Sequence, residues 1–196
     1  VLGKAIGNPL YHGSHLERRR FFGHESVLNR DTAEADWNLC NEKLKDPSMG
    51  VRGLIKKSNV TLVCTTDDPI DSLEWHQAIA KDESFDVKVM PVWRPDKAMA
   101  VEVPANFRAY IDKLSEVSGV SISKFSDVIE ALRVRHKFFE EQGCKLSDHG
   151  IEEFYAEDYT DAEIEAIFNK VYGGTELTKE EILKYKSAMM IEFGMM

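Results

Sequence analysis

Apolar and polar positions follow two rhythms along this chain. The first recurs every three to four residues and predicts amphipathic helices. Asn8-Pro9 supplies a cap and a first-turn proline for one helix start. A longer helix is predicted from Asp31 through Ala35, Trp37, Leu39, Cys40 and Leu44, stopped by Asp46-Pro47. A short one over 51–57 presents Val51, Leu54 and Ile55 on one side. Two more are predicted over 104–117 and 123–142, with Gly143 ending the second. The tail holds another pair, one after Thr160-Asp161 and one after Thr178, whose capping partner is Glu181.

The second rhythm belongs to strands. Val60-Thr61-Leu62-Val63-Cys64-Thr65 is β-branched and uncharged, the pattern of a strand covered on both faces. It runs into Thr66-Asp67-Asp68-Pro69, after which Asp71-Ser72-Leu73-Glu74 predicts a helix start with an Asp cap and a Glu three residues on. The sequence repeats: Phe85-Asp86-Val87-Lys88-Val89-Met90-Pro91 ends in Val92-Trp93-Arg94-Pro95-Asp96. Cys144-Lys145-Leu146 is a third strand candidate, ending in Ser147-Asp148-His149-Gly150. Strands separated by helices predict parallel βα units, because parallel neighbours need crossovers. Periodicity leaves open whether these build a barrel or a doubly wound sheet. All three strands end in polar clusters, which is where a (β/α)₈ barrel carries its active site. No glycine-rich loop follows any of them, which weakens a nucleotide-binding reading.

Composition narrows the class. The 196 residues are 43% hydrophobic and 30% charged, as expected of a folded globular domain. A net charge of −9, with both signs mixed along the chain, argues against a nucleic-acid partner. Arg18-Arg19-Arg20 is short and lies near Glu17 and Glu25, so it reads as a solvated turn. Three cysteines lack zinc or redox spacing and fit free thiols in a reducing cytoplasm. No apolar stretch is long enough for a membrane span, and the opening residues do not show the charged-then-apolar layout of a secretion signal. The first residue is Val, and Met195-Met196 follow a helix without a closing cap. Both ends are expected to be cuts.

Four segments carry a resemblance. They are Ile6-Gly7-Asn8-Pro9-Leu10-Tyr11-His12 with His15-Leu16-Glu17; Thr65-Thr66-Asp67-Asp68-Pro69-Ile70-Asp71-Ser72-Leu73-Glu74; Trp93-Arg94-Pro95-Asp96; and Gly143-Cys144-Lys145-Leu146-Ser147-Asp148-His149. Together, in this order over residues 6–150, they resemble the uronate isomerases of the amidohydrolase superfamily. The resemblance implies an α/β fold, a partial and distorted (β/α)₈ TIM-type barrel with large helical insertions. Residues 1–196 would be an internal fragment of one catalytic domain containing the middle strands, with 1–58 and 151–196 mainly helical. The implied reactions are aldose–ketose isomerisations of uronate catabolism, D-glucuronate to D-fructuronate and D-galacturonate to D-tagaturonate. The family's divalent metal, zinc by expectation, is held by a His-x-His pair on the first strand and an Asp on the last. Neither is in this sequence, so the metal ligands are expected outside it and the isolated piece is expected to be inactive. Gly13 departs from the resemblance, which leads to the expectation of an aromatic residue after Tyr11-His12.

Moving a proton between C2 and C1 of a sugar acid needs an acid and base, a polarised carbonyl and a cationic clamp for the carboxylate. Arg94 is the candidate clamp, since a guanidinium binds carboxylates bidentately; its plainer alternative is a rim ion pair with Asp96. Asp67 is placed to orient sugar hydroxyls or to hold Arg94, although an Asp near a Pro is also ordinary turn chemistry. Thr66 and Trp93 accompany them on the substrate side. Asp148 and His149 are the candidate catalytic acid/base pair, against the alternative of a hydrogen-bonded structural histidine. Tyr11 and His12 are assigned to the pocket mouth. A metal site from His12 and His15 is disfavoured for want of a third ligand, and His76 and His136 read as structural. The expected partner is a small sugar acid; a homo-oligomer is compatible. Two rival readings stand: another metal-dependent hydrolase of the same superfamily, marked by extra His ligands on the middle strands, and a non-catalytic helical binding module showing no uronate turnover.

Overall fold

The computed structural model describes residues 4–196. The chain divides into two compact units, one holding the residues up to Leu62 together with Ser84–Val87, the other Val63–Glu83 and Lys88–Met196.

The first unit is helical: α1 (Pro9–Phe22), α2 (Ala33–Lys43) and α3 (Val51–Lys57). Asn8 caps α1 by accepting the Leu10 amide at 3.0 Å, and Gly23 ends it in the left-handed region at φ 61°. A buried ion pair joins α1 to α2, Arg18 Nη2 lying 2.7 Å from Asp36 Oδ1, with His24 against the same carboxylate. His15 bridges the Tyr11 carbonyl and the Leu28 amide, which fixes the loop after α1. Phe85 is buried, with the Arg52 guanidinium 5.0 Å from its ring centre.

The second unit carries β2 (Lys88–Met90) and all but the first residue of β1 (Leu62–Cys64), and the two strands are hydrogen-bonded as neighbours. Pairing is shorter than the apolar runs predict, and it is extended past both strands by parallel bridges, Asp67 with Trp93 and Trp93 with Ser147. The third strand candidate is therefore present as a single parallel bridge. Leu62 and Cys64 are exposed, so among the described residues β1 lacks the two-sided cover that its composition predicts.

Four long helices pack on one another in this unit: α5 (Pro104–Ser118), α6 (Phe125–Glu141), α7 (Asp161–Tyr172) and α8 (Lys179–Met195). Their buried faces meet around Phe107, Ile111, Leu114, Leu132, Phe168 and Tyr185, each large side chain contributing about 1.5–3 kcal/mol. Phe107 meets both Phe168 and Tyr185 edge-on. Thr160 with Glu163 and Thr178 with Glu181 form the two capping boxes that start α7 and α8. Lys184 reaches Glu163 at 2.7 Å and Lys170 reaches Glu181 at 2.8 Å, so each cap is also tied to the neighbouring helix.

The short helix α4 (Glu74–Ala80) follows β1 but begins differently from expectation. Asp71 does not cap it. The Asp71 carboxylate instead accepts the Asp68 amide at 2.8 Å, closing the turn before the helix. Leu73 takes the cap position in the left-handed region at φ 55° while its side chain is buried. Burial of that side chain offsets a backbone cost on the order of 1 kcal/mol.

Candidate functional site

Backbone register brings the three polar strand ends together. The Asp67 amide donates to Val92 O and the Arg94 amide donates back to Asp67 O, both at 3.0 Å. The Trp93 amide donates to Leu146 O and the Asp148 amide to Trp93 O, again at 3.0 Å. Thr66, Asp67 and Asp68 from the first end, Arg94, Asp96 and Lys97 from the second, and Gly150 from the third line an open cleft of about 520 Å³.

Charge in this cleft is organised in pairs. Arg94 Nε lies 3.3 Å from Asp96 Oδ2, and its Nη2 lies 3.4 Å from Asp148 Oδ2. Lys97 Nζ lies 3.3 Å from Asp68 Oδ2. Asp96 also accepts the Gly150 amide at 2.6 Å and faces His149 Nδ1 at 3.1 Å. The His149 ring lies flat on Phe193, with centroids 5.4 Å apart.

Asp67 is tied into the strand ends. Its Oδ2 accepts from the Thr65 hydroxyl at 2.6 Å and from the Val92 amide at 3.1 Å. His76 Nε2 lies 2.7 Å from that hydroxyl and 3.7 Å from Asp67 Oδ1. Asp68 accepts from the Ile70 amide and from Tyr110 Oη at 3.0 Å. Burial, reinforced by the Asp68 charge, pushes the Tyr110 phenol well above its usual range, so it remains a donor. Arg135 donates to the carbonyls of Pro69 at 2.7 Å and Asp71 at 2.8 Å, holding the loop from inside. Burial pulls its guanidinium below the usual value, while Asp71 opposes that fall.

The structure thus brings Asp67, Thr66, Arg94, Asp148 and His149 to one set of parallel strand ends. Trp93 is placed elsewhere: it is 1% exposed, packed edge-on against Phe139 and His136, and its side chain is core. Side chains of successive strand residues point to opposite sides, so Arg94 reaches the cleft because Trp93 turns inward. Tyr11 and His12 belong to the first unit, where their rings meet edge-on. Sequence reasoning named the Arg94–Asp96 rim pair, which the structure contains, but missed His149 as the second partner of Asp96, Tyr110 as a donor and His76 as a neighbour of Asp67. For His76 the available signal was its place in the first turn of the helix following β1, beside that strand's end. Nothing in the local sequence marks Tyr110, which arrives from α5.

Among the described residues no group of three or more His, Cys, Asp or Glu side chains could hold a metal ion. The resemblance places the metal ligands outside these residues, and the described residues assemble no ligand set of their own.

A family model described as glucuronate isomerase matches residues 1–196. A uronate isomerase of Phocaeicola vulgatus is 66% identical over 189 residues, covering 96% of this chain and 40% of the relative. One from Bacteroides thetaiotaomicron is 65% identical over the same shares. The crystal structure of a Thermotoga maritima uronate isomerase superposes over 100% of this chain and 42% of its own, with a TM-score of 0.90 at 36% identity. A Caulobacter crescentus glucuronate isomerase superposes with a TM-score of 0.85 at 27% identity, over 96% of this chain and 39% of its own. The chain spans about two fifths of the length of the relatives it matches. On the match over its whole length, the chain belongs to the glucuronate isomerase family.

Proposed function

We propose that this chain supplies the substrate-side rim of a hexuronate isomerase, converting D-glucuronate to D-fructuronate and D-galacturonate to D-tagaturonate. The observation that carries the proposal is Arg94 at the converging ends of three parallel segments, facing a cleft otherwise rich in carboxylates. Aspartates outnumber cations there, so a sugar acid's carboxylate finds favourable charge only at Arg94 and Lys97. Both cations are already paired, Lys97 with Asp68 and Arg94 with Asp96 and Asp148, and the guanidinium is preferred because its planar fork matches a carboxylate. The surrounding carboxylates suit the other end of the task, accepting hydrogen bonds from sugar hydroxyls. Asp67 and Thr66, which line the same cleft, are the residues proposed for this.

His149 and Asp148 are the proposed proton-transfer pair. With Nδ1–H donated to Asp96, the neutral ring carries its lone pair on Nε2 and can take a proton there. On this reading the two strands and the single bridge are part of a (β/α)₈ barrel. The remainder of the longer enzyme would then cover the exposed face of β1 and bring the metal ligands. A coupled assay on the full-length enzyme tests the proposal: turnover of glucuronate or galacturonate is expected, and no turnover of either would refute it.

A further inference from the structure

One carboxylate touches both functional groups of the rim. Asp96 Oδ2 lies 3.3 Å from Arg94 Nε and accepts the Gly150 amide, while Oδ1 meets His149 Nδ1 at 3.1 Å. We propose that Asp96 is a positioning residue that fixes the Arg94 clamp and the His149 imidazole relative to each other. The inference rests on the reading of this rim as the hexuronate site.

Three features make Asp96 suited to that role. It opens a 3₁₀ turn, Asp96–Met99, whose Ala98 and Met99 are buried, so a packed turn sets the direction of its carboxylate. Its two oxygens serve different partners, and those partners come from two different strand ends, Arg94 following β2 and His149 following the Trp93–Ser147 bridge. His149 is fixed from a second direction by its stack on Phe193, with ring planes 7° apart. Asp96 therefore selects the tautomer and in-plane rotation, and Phe193 selects the plane. Gly150 completes the arrangement: a Cβ there would lie 3.2 Å from Asp96 Oδ2 and 3.4 Å from Arg94 Nη2. A side chain at 150 would crowd the carboxylate and come into contact with the guanidinium.

A carboxylate that merely neutralised Arg94 would leave His149 independent of it. The two roles separate in the full-length enzyme. Asp96→Asn keeps the shape and removes the charge; it is expected to raise KM for glucuronate about 10-fold and lower kcat about 10-fold, as misplaced groups do. In an Arg94→Met background its effect on KM should shrink below about twofold while the kcat loss persists, because Asp96 acts on binding through Arg94. Gly150→Ala leaves every charge in place and should produce the same pair of effects at about a third of the size. Imidazole nitrogen NMR gives a readout independent of turnover: His149 as the Nδ1–H tautomer in the wild type, shifting toward Nε2–H in Asp96→Asn. Wild-type turnover with both constants unchanged in Asp96→Asn would overturn the proposal, as would KM effects that simply add in the double variant. A wild-type His149 in the Nε2–H tautomer would overturn it even if the enzyme turned over no uronate. Absence of turnover with the tautomer as expected would count against the hexuronate reading alone.

Discussion

Replacing Asp67 by Ala isolates what holds the strand ends in register. Asp67 Oδ2 is the acceptor for the Val92 amide, and Val92 is buried, so water does not readily replace the lost partner. An unsatisfied buried donor costs about 1–3 kcal/mol. The Thr65 hydroxyl, by contrast, has other partners at hand, Met90 O at 3.3 Å and His76 Nε2 at 2.7 Å, and adds little. The expected penalty is about 2 kcal/mol, which corresponds to a local opening equilibrium about 30-fold larger. Hydrogen exchange followed by mass spectrometry on peptides covering 88–95 reads this directly. Because the Arg94 amide bonds to Asp67 O in the same ladder, its protection should fall with that of Val92. Asp67→Asn, which keeps one acceptor oxygen, should show less than half the effect. Unchanged exchange over 88–95 in Asp67→Ala would refute the reasoning.

Other expectations concern the supports of the same fold. Arg135→Lys keeps the charge but cannot reach both Pro69 O and Asp71 O; a loss of about 2 kcal/mol is expected in urea unfolding, with faster exchange over 66–72. Glu163 is held at about 2 by hydrogen bonds from Lys184 and then Thr160, below its ordinary 4.5. A lowered carboxylate stabilises the fold above its ordinary value and loses that contribution as pH falls from 4.5 through about 2. The start of α7 should therefore loosen across that window, measured by amide exchange corrected for its intrinsic rate, and Glu163→Gln should remove the dependence. Gly53→Ala would place a Cβ 1.9 Å from the Ser48 carbonyl oxygen, a backbone atom with no room to give. A destabilisation of at least about 3 kcal/mol is expected in thermal unfolding.

Helix boundaries were legible where their physics is local. Asn8-Pro9, Thr160-Asp161, and Thr178 with Glu181 each mark a helix start within four residues, and the structure uses all three, adding Glu163 as the partner of Thr160. Asp71 shows the limit: the same residue type also closes turns, and here the Asp68 amide took its carboxylate. The strands were legible as apolar runs, but pairing depends on what lies beside and above them, so only Leu62–Cys64 and Lys88–Met90 qualify. That Arg94, Asp67, Asp148 and His149 share one set of strand ends could be read in advance, because strand ends collect polar residues in βα folds. Asp96, Tyr110 and Arg135 act across 42 to 66 residues of chain, Tyr110 onto Asp68 and Arg135 onto Pro69 among them, and no local pattern records such a contact. Trp93 misled because it adjoins Arg94, and adjacency in a strand puts neighbours on opposite faces.

The most direct test of the central claim is glucuronate binding to the full-length enzyme carrying Arg94→Met, beside a neutral sugar of the same ring geometry. Arg94 is 38% exposed, so the loss is set at the low end for a charged hydrogen-bonded pair, about 1.5–2 kcal/mol, or roughly 10- to 30-fold weaker binding. The neutral sugar should bind Arg94→Met and wild type equally. Glucuronate affinity unchanged by Arg94→Met, or lost in parallel with that of the neutral sugar, would contradict the assignment of this rim as the carboxylate-recognising side of the site.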